Sequence, residues 1–78
     1  MSLTRRTWLV ILRKKHRYSQ SSLAKAIGVS TQSIKLWEAG SGFPSQLNKL
    51  ELAKVLGREV LDQFYKEECE LLSSYLSA

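Results

Sequence analysis

The chain has one cysteine, Cys69, and one histidine, His16. A single cysteine excludes an internal disulfide and leads to the expectation of a reducing, cytoplasmic setting. One cysteine and one histidine cannot supply a four-ligand metal site, so neither a metal nor a cofactor is expected. The two residues fall in different predicted helices with no third polar partner, and no glycine-rich phosphate loop is present. No catalytic constellation follows, and an enzyme is not expected. Proline occurs once, at Pro44, and glycine four times, so little interrupts helix formation. There is no apolar run of about 18 residues to span a membrane. The start, MSLTRRTW, lacks the apolar stretch of a signal peptide. Acids are scarce in the first two-thirds of the chain, where Glu38 is the only one before residue 51.

The residues that are abundant point elsewhere. The chain has 78 residues, 44% of them apolar, and a net charge of +5. That is one domain, expected to fold but to bury only about two-thirds of its unfolded surface. Residues 1–58 hold eleven Lys/Arg against two acids, and residues 59–78 hold one Lys against five acids. A basic body attracts phosphate and releases counterions on binding. An acidic C-terminal segment suits solvent or a protein partner.

The stretch Tyr18–Gly40, YSQSSLAKAIGVSTQSIKLWEAG, reads as two short helices joined by a tight turn. Ser19 is a good N-cap; Leu23, Ala24 and Ile27 share one face; and Gly28 is suited to the left-handed exit. Val29 plugs the corner and Ser30 caps the next helix, about residues 30–39, whose Ile34 and Trp37 point inward. At roughly 100° per residue, Gln32, Lys35, Leu36 and Ala39 lie opposite Ile34, with Thr31 at the tip. Such a helix reads bases with its first residues and outer face. Gln32 matches adenine, and Thr31 matches a thymine or a phosphate. Leu36 has two open readings: packing on thymine methyls, or a scattered surface apolar residue. Gln20, at the positive end of its helix, is suited to a phosphate.

The segment from about Leu12 to Gly57 resembles the lambda-repressor-like helix-turn-helix domain of the Cro/Xre type. The resemblance rests on Leu12-Arg13-Lys14-Lys15, Ser19-Gln20, Leu23-Ala24, Ile27-Gly28-Val29-Ser30, Ile34, Trp37-Glu38, Gly40, Pro44, Leu52-Ala53 and Leu56-Gly57. It implies an all-α fold, a compact five-helix bundle with a central helix-turn-helix, acting on operator DNA as a symmetric dimer. It also implies an ion pair between Arg13 and Glu38, and a phosphate clamp at Gln20. Three positions depart from the family pattern, one of them Leu36, which replaces what is often a polar base reader. Arg17 stands where glycine is common, so the first helix is expected to end less sharply. Lys49 stands where leucine is common, so Leu47 or Leu50 is expected to fill that core slot.

Around this motif, the first helix is predicted over about Arg5–His16, capped by Ser2 or Thr4, with Trp8, Ile11 and Leu12 on its buried face. The remaining cations, Arg5, Arg6, Lys14, Lys15 and Arg17 among them, are left for other faces. Ser45 caps a fourth helix with Leu47, Leu50, Ala53 and Leu56 inward, and Phe43 anchors the loop before it. The last segment, from about Glu59 to Leu76, reads as one long amphipathic helix with the stripe Leu61, Tyr65, Cys69, Leu72 and Leu76. Its surplus length either forms a dimer surface or folds back over the first helix.

The functional expectation is a sequence-specific regulator of double-stranded DNA, acting as a repressor and a homodimer. Residues 1–58 form the DNA-binding part and residues 59–78 the packing and dimerisation helix. Thr31, Gln32, Lys35 and Leu36 read bases; Arg17, Gln20, Ser33 and Ser41 hold phosphates; Leu61, Tyr65, Leu72 and Leu76 form the dimer interface. The alternative is an antitoxin or adaptor whose C-terminal helix binds another protein, with DNA binding secondary.

Overall fold

The computed structural model describes residues 5–77, the side chain of Ser77 excepted. Five helices follow one another: α1 (Thr7–Lys15), α2 (Gln20–Ile27), α3 (Thr31–Ala39), α4 (Gln46–Leu56) and α5 (Glu59–Ser77). No strand occurs among the described residues. The expected caps of the first helix, Ser2 and Thr4, lie outside them. Arg6 occupies the N-cap position with no side-chain cap bond, and its backbone N–H donates instead to the carbonyl of Glu38 at 2.8 Å.

Local chemistry sets the inner boundaries as the sequence predicts. The Ser19 hydroxyl accepts from the Ser22 N–H, and the Ser22 hydroxyl accepts from the Ser19 N–H, a reciprocal capping box. Ser30 and Ser45 cap α3 and α4 by accepting from Ser33 and Asn48. Gly28 and Gly40 close α2 and α3 in the left-handed conformation, at φ 76° and 82°, where a Cβ is disfavoured. Arg17 also takes that conformation, at φ 64°, and its N–H and that of Tyr18 return to the carbonyls of Lys14 and Arg13. The first helix therefore ends sharply despite the missing glycine.

Leu23, Ile34, Leu52, Val60 and Phe64, all 0% exposed, lie in a core shared by α2, α3, α4 and α5. Two predicted faces are corrected. On α1 the buried residues are Leu9, Leu12 and Arg13, whereas Ile11 is 59% exposed. The helix is turned so that Arg13 meets Glu38, which brings Leu9 rather than Ile11 inward. On α4, Lys49, Leu52 and Leu56 are buried, Ala53 is half-buried, and Leu47 and Leu50 are exposed. Lys49 itself fills the core slot. Its ammonium lies 5.9 Å from the Phe43 and Phe64 ring centroids and donates to Glu68 at 2.6 Å. A lysine can run its methylene stem along apolar surface and deliver the charge at the rim.

The first half of α5 closes the core. Phe64 meets the Trp8 ring edge-on at 4.9 Å between centroids, and Glu67 accepts from the Trp8 indole at 2.7 Å. Beyond Glu68 every described side chain of α5 is exposed. This half of the helix covers nothing, so the folded-back reading over α1 does not hold. The molecule measures 40 × 22 × 20 Å along its principal axes.

Two buried cations invite a contrast. Lys49→Leu returns Glu68 to water and leaves a leucine in an apolar slot. The expected result is a domain unchanged in stability or up to about 2 kcal/mol more stable. Arg6→Leu strips donors from Glu67 and from two carbonyls, and is expected to destabilise by about 3–5 kcal/mol. Thermal melting of the two variants checks the difference, since each kcal/mol moves Tm by roughly 4–8 °C in a domain of this size.

Candidate nucleic-acid interface

The two helices of the central motif are held by short-range bonds on each side of the turn. The N–H of Val29 donates to Ala24 at 2.9 Å, closing α2, and the half-buried Val29 packs against the core. Ile34 and Trp37 fix the inner face of α3. That leaves Gln32, Lys35, Leu36 and Ala39 exposed on the outer face, with Thr31 half-buried at its tip. Leu36 is 45% exposed, enough to present its methyl groups. Ser33, half-buried, shares a 3.1 Å hydroxyl contact with Ser30. Ser41 is exposed, and its backbone N–H donates to Leu36 at 3.0 Å.

The electrostatics of this face depend on Glu38, the one acid of α3. It is 4% exposed. Arg13 Nε donates to Glu38 Oε2 at 2.5 Å and Nη2 to Oε1 at 3.3 Å. Gln20 Nε2 donates to Oε1 at 2.9 Å. The carboxylate thus accepts three hydrogen bonds and is turned inward. Arg5, Lys14, Lys15, Arg17, Lys25 and Lys35 are exposed, so the surface of the described residues up to Leu50 carries cations and no exposed acid. Such a field attracts polyanions without opposing charge on α3.

Gln20, predicted to hold a phosphate, lies between that role and α3. Its side chain grips Glu38, and its backbone N–H belongs to the unpaired first turn of α2. Arg17 is exposed at the end of α1. Leu61, Tyr65, Leu72 and Leu76 lie on α5, apart from the α3 residues, with Leu61 half-buried and the other three exposed. A hydrogen bond to the Cys69 thiol, together with charge repulsion from that group, pushes the Tyr65 phenol above its ordinary 10.0.

Sequence reasoning missed Arg6, placed there among the surface cations but only 3% exposed. Its Nη1 donates to the carbonyls of Trp37 at 2.6 Å and Gly42 at 2.7 Å. Its Nε donates to both oxygens of Glu67, at 2.9 and 3.1 Å. The guanidinium lies 4.5 Å from the Phe43 centroid and 5.1 Å from that of Phe64. It therefore gives the Trp37 carbonyl, which already accepts from the Gly40 N–H at 3.2 Å, a second donor and ties the following loop to α5. The sequence signal was faint: a pair of adjacent glutamates interrupting an apolar stripe.

The capped helix pair, the acid-free outer face of α3 and the cationic surroundings define a helix-turn-helix DNA-binding protein. The helix-turn-helix family model matches residues 9–62, and the chain belongs to that family, in its Cro/C1-type form. It is a DNA-binding transcriptional regulator. It is 35% identical over 57 residues to the uncharacterized HTH-type transcriptional regulator YgzD of Bacillus subtilis (strain 168), an alignment covering 73% of this chain and 86% of that protein. No solved structure matches it. Among the described residues no group of side chains could hold a metal ion, and no helix is long and apolar enough to cross a membrane.

Arg17 offers a test of strain at this surface. A non-glycine residue in the left-handed region is strained by about 1–3 kcal/mol. Arg17→Gly, which pays the greater chain entropy of glycine, is expected to gain about 1 kcal/mol net. If the guanidinium holds a phosphate, the same variant binds DNA more weakly, with a salt slope lower by about one. Melting and salt-titrated binding measure the two effects; a lower Tm would show that the arginine side chain anchors the turn.

Proposed function

We propose that this regulator is a repressor that binds a palindromic operator as a homodimer, with α3 of each copy in the major groove. Thr31, Gln32, Lys35 and Leu36 read base edges, Gln32 by paired hydrogen bonds to adenine and Leu36 by apolar contact with thymine methyls. Arg17, Gln20, Ser33 and Ser41 hold backbone phosphates on either side. Gln20 has a double duty: its amide grips Glu38, so a phosphate at the α2 N-terminus is mechanically linked to the orientation of α3. The Arg13–Glu38 pair acts as the internal brace of that arrangement. Residues 1–58 carry DNA recognition and residues 59–78 the pairing of two copies. The setting is the cytoplasm, with DNA as substrate-free ligand and no catalytic role.

The observation that carries this reading is the neutralised, inward-turned Glu38 beneath an exposed polar face. A free carboxylate on a helix set between backbone phosphates would be repelled by them. The second reading is an antitoxin or adaptor role in which α5 binds a different protein; the exposure of Leu71, Leu72, Tyr75 and Leu76 favours it as much as it favours self-association.

Selection of binding sites from random duplex DNA at two salt concentrations tests the proposal. The expected result is an enriched palindrome with half-site centres roughly 34 Å apart, or a multiple of that. Salt-sensitive binding without enrichment would reject specific recognition. On the selected site, Gln32→Ala is expected to lose about 1–3 kcal/mol and relax preference at one or two base pairs. An equal loss on every sequence would move Gln32 to the phosphate group of contacts.

A further inference from the structure

Residues 40–45 join α3 to α4 and carry Ser41, one of the phosphate contacts proposed above. The middle of this loop is seated by side chains from other parts of the chain. The Gly42 carbonyl accepts from Arg6 Nη1 at 2.7 Å. The Phe43 ring lies tilted on Phe64 of α5, with 6.1 Å between centroids. The Arg6 guanidinium and the Lys49 ammonium lie over the Phe43 ring, 4.5 and 5.9 Å from its centroid. Each of these contacts leads to α5. Phe64 belongs to that helix, Glu67 accepts from Arg6 Nε, and Glu68 accepts from Lys49.

Glu67 holds the key position. A guanidinium is a rigid planar fork, so a carboxylate that fixes Nε also fixes the direction of Nη1. That Nη1 serves both the Trp37 carbonyl in the last turn of α3 and the Gly42 carbonyl in the loop. The same carboxylate accepts from Trp8 Nε1 at 2.7 Å, a bond that ties α5 to α1 without passing through the loop. We infer that Glu67 is a positioning residue for DNA binding. It touches no DNA, and it acts through Arg6 to set the end of α3 and the loop that bears Ser41. This deepens the DNA reading given above and rests on it.

The charge of Glu67 is central to this role, because an ionised acceptor forms the stronger hydrogen bond. A glutamine of the same shape offers one carbonyl oxygen, and its amide N–H groups face either Arg6 Nε or the Trp8 indole, donor against donor. The hold on Arg6 loosens while the side chain still fills its space. The local bonds from Gly40 N–H to Trp37 and from Ser41 N–H to Leu36 close α3, but they do not set where Gly42 and Phe43 stand. A loop free to shift must be ordered again when it meets a phosphate, and that ordering reduces affinity. By reciprocity, DNA that orders the loop holds α5 more firmly to the body.

The test uses the full chain and a fluorescent DNA duplex of mixed sequence, with each variant held well below its melting transition. Glu67→Gln is expected to bind the duplex roughly three- to thirty-fold more weakly. It is also expected to speed amide hydrogen exchange at Ser41 while Val29, at the turn between α2 and α3, keeps its protection. Trp8→Phe removes the indole bond and keeps a ring against Phe64; it is expected to lower Tm and leave duplex affinity unchanged. Phe43→Leu, at a position 38% exposed, loosens the loop from its other side and is expected to weaken binding as Glu67→Gln does. Native affinity in a folded Glu67→Gln, or in Phe43→Leu where Glu67→Gln does not fold, overturns the inference while the α3 reading stands. A loss of affinity shared by Trp8→Phe in proportion to its lower Tm also overturns it, leaving Glu67 a role in stability alone. An unsubstituted chain that does not bind the duplex overturns the α3 reading and the inference together.

Discussion

The guanidinium of Arg6 touches four parts of the chain at once. It begins α1, donates to the last turn of α3 at Trp37 and to the loop at Gly42, meets Glu67 on α5, and lies against the rings of Phe43 and Phe64. Within a domain this small, whose apolar core is modest, a buried charge is tolerable only with every donor occupied. The bonds of Arg6 occupy its Nε and Nη1, and among the described residues no fully buried side-chain nitrogen or oxygen is left without a partner. The C-terminal half of α3 is thereby braced twice: by the Arg13–Glu38–Gln20 cluster on its inner side and by Arg6 at the Trp37 carbonyl.

Charge is segregated by the same device. Most cations of the first fifty residues stand in solvent, while the one acid there is folded inward and matched. The acids of α5 follow a different rule. Glu67 and Glu68 reach back to Arg6 and Lys49, and with them the packed half of the helix ends and the exposed half begins. The basic surface and the acidic α5 are therefore joined by ion pairs at their seam while remaining distinct in charge.

The parts of this fold written in short-range signals were legible in the sequence. Ser19, Gly28, Ser30, Gly40 and Ser45 act through bonds to residues only a few places away, so residue type alone locates each boundary. The outer face of α3 followed from Ile34 and Trp37 by helical geometry. What could not be read were the side chains whose burial depends on partners far along the chain. Arg6 and Lys49 look like surface cations until Glu67 and Glu68 are brought beside them. Leu47 and Leu50 look like core until Lys49 occupies the slot between them. On α1, adjacent apolar residues offered two stripes, and only the inward demand of Arg13 selects Leu9 over Ile11. Arg17 shows the reverse case: the backbone keeps its sharp turn although the residue type argues against it.

The bond between Arg6 and Glu67 spans 61 positions of sequence. Loop closure of that length is entropically expensive before the contact rewards it, so the link forms only once the intervening helices have collapsed. The Trp37 carbonyl has its local donor, the Gly40 N–H, as soon as α3 closes, but its second donor, Arg6, is held by Glu67 only once residue 67 has been synthesised and docked. Full bracing of α3 is thus tied to the docking of α5, and a product truncated before residue 67 would carry α3 with its local cap but without the anchored Arg6 link to its final turn.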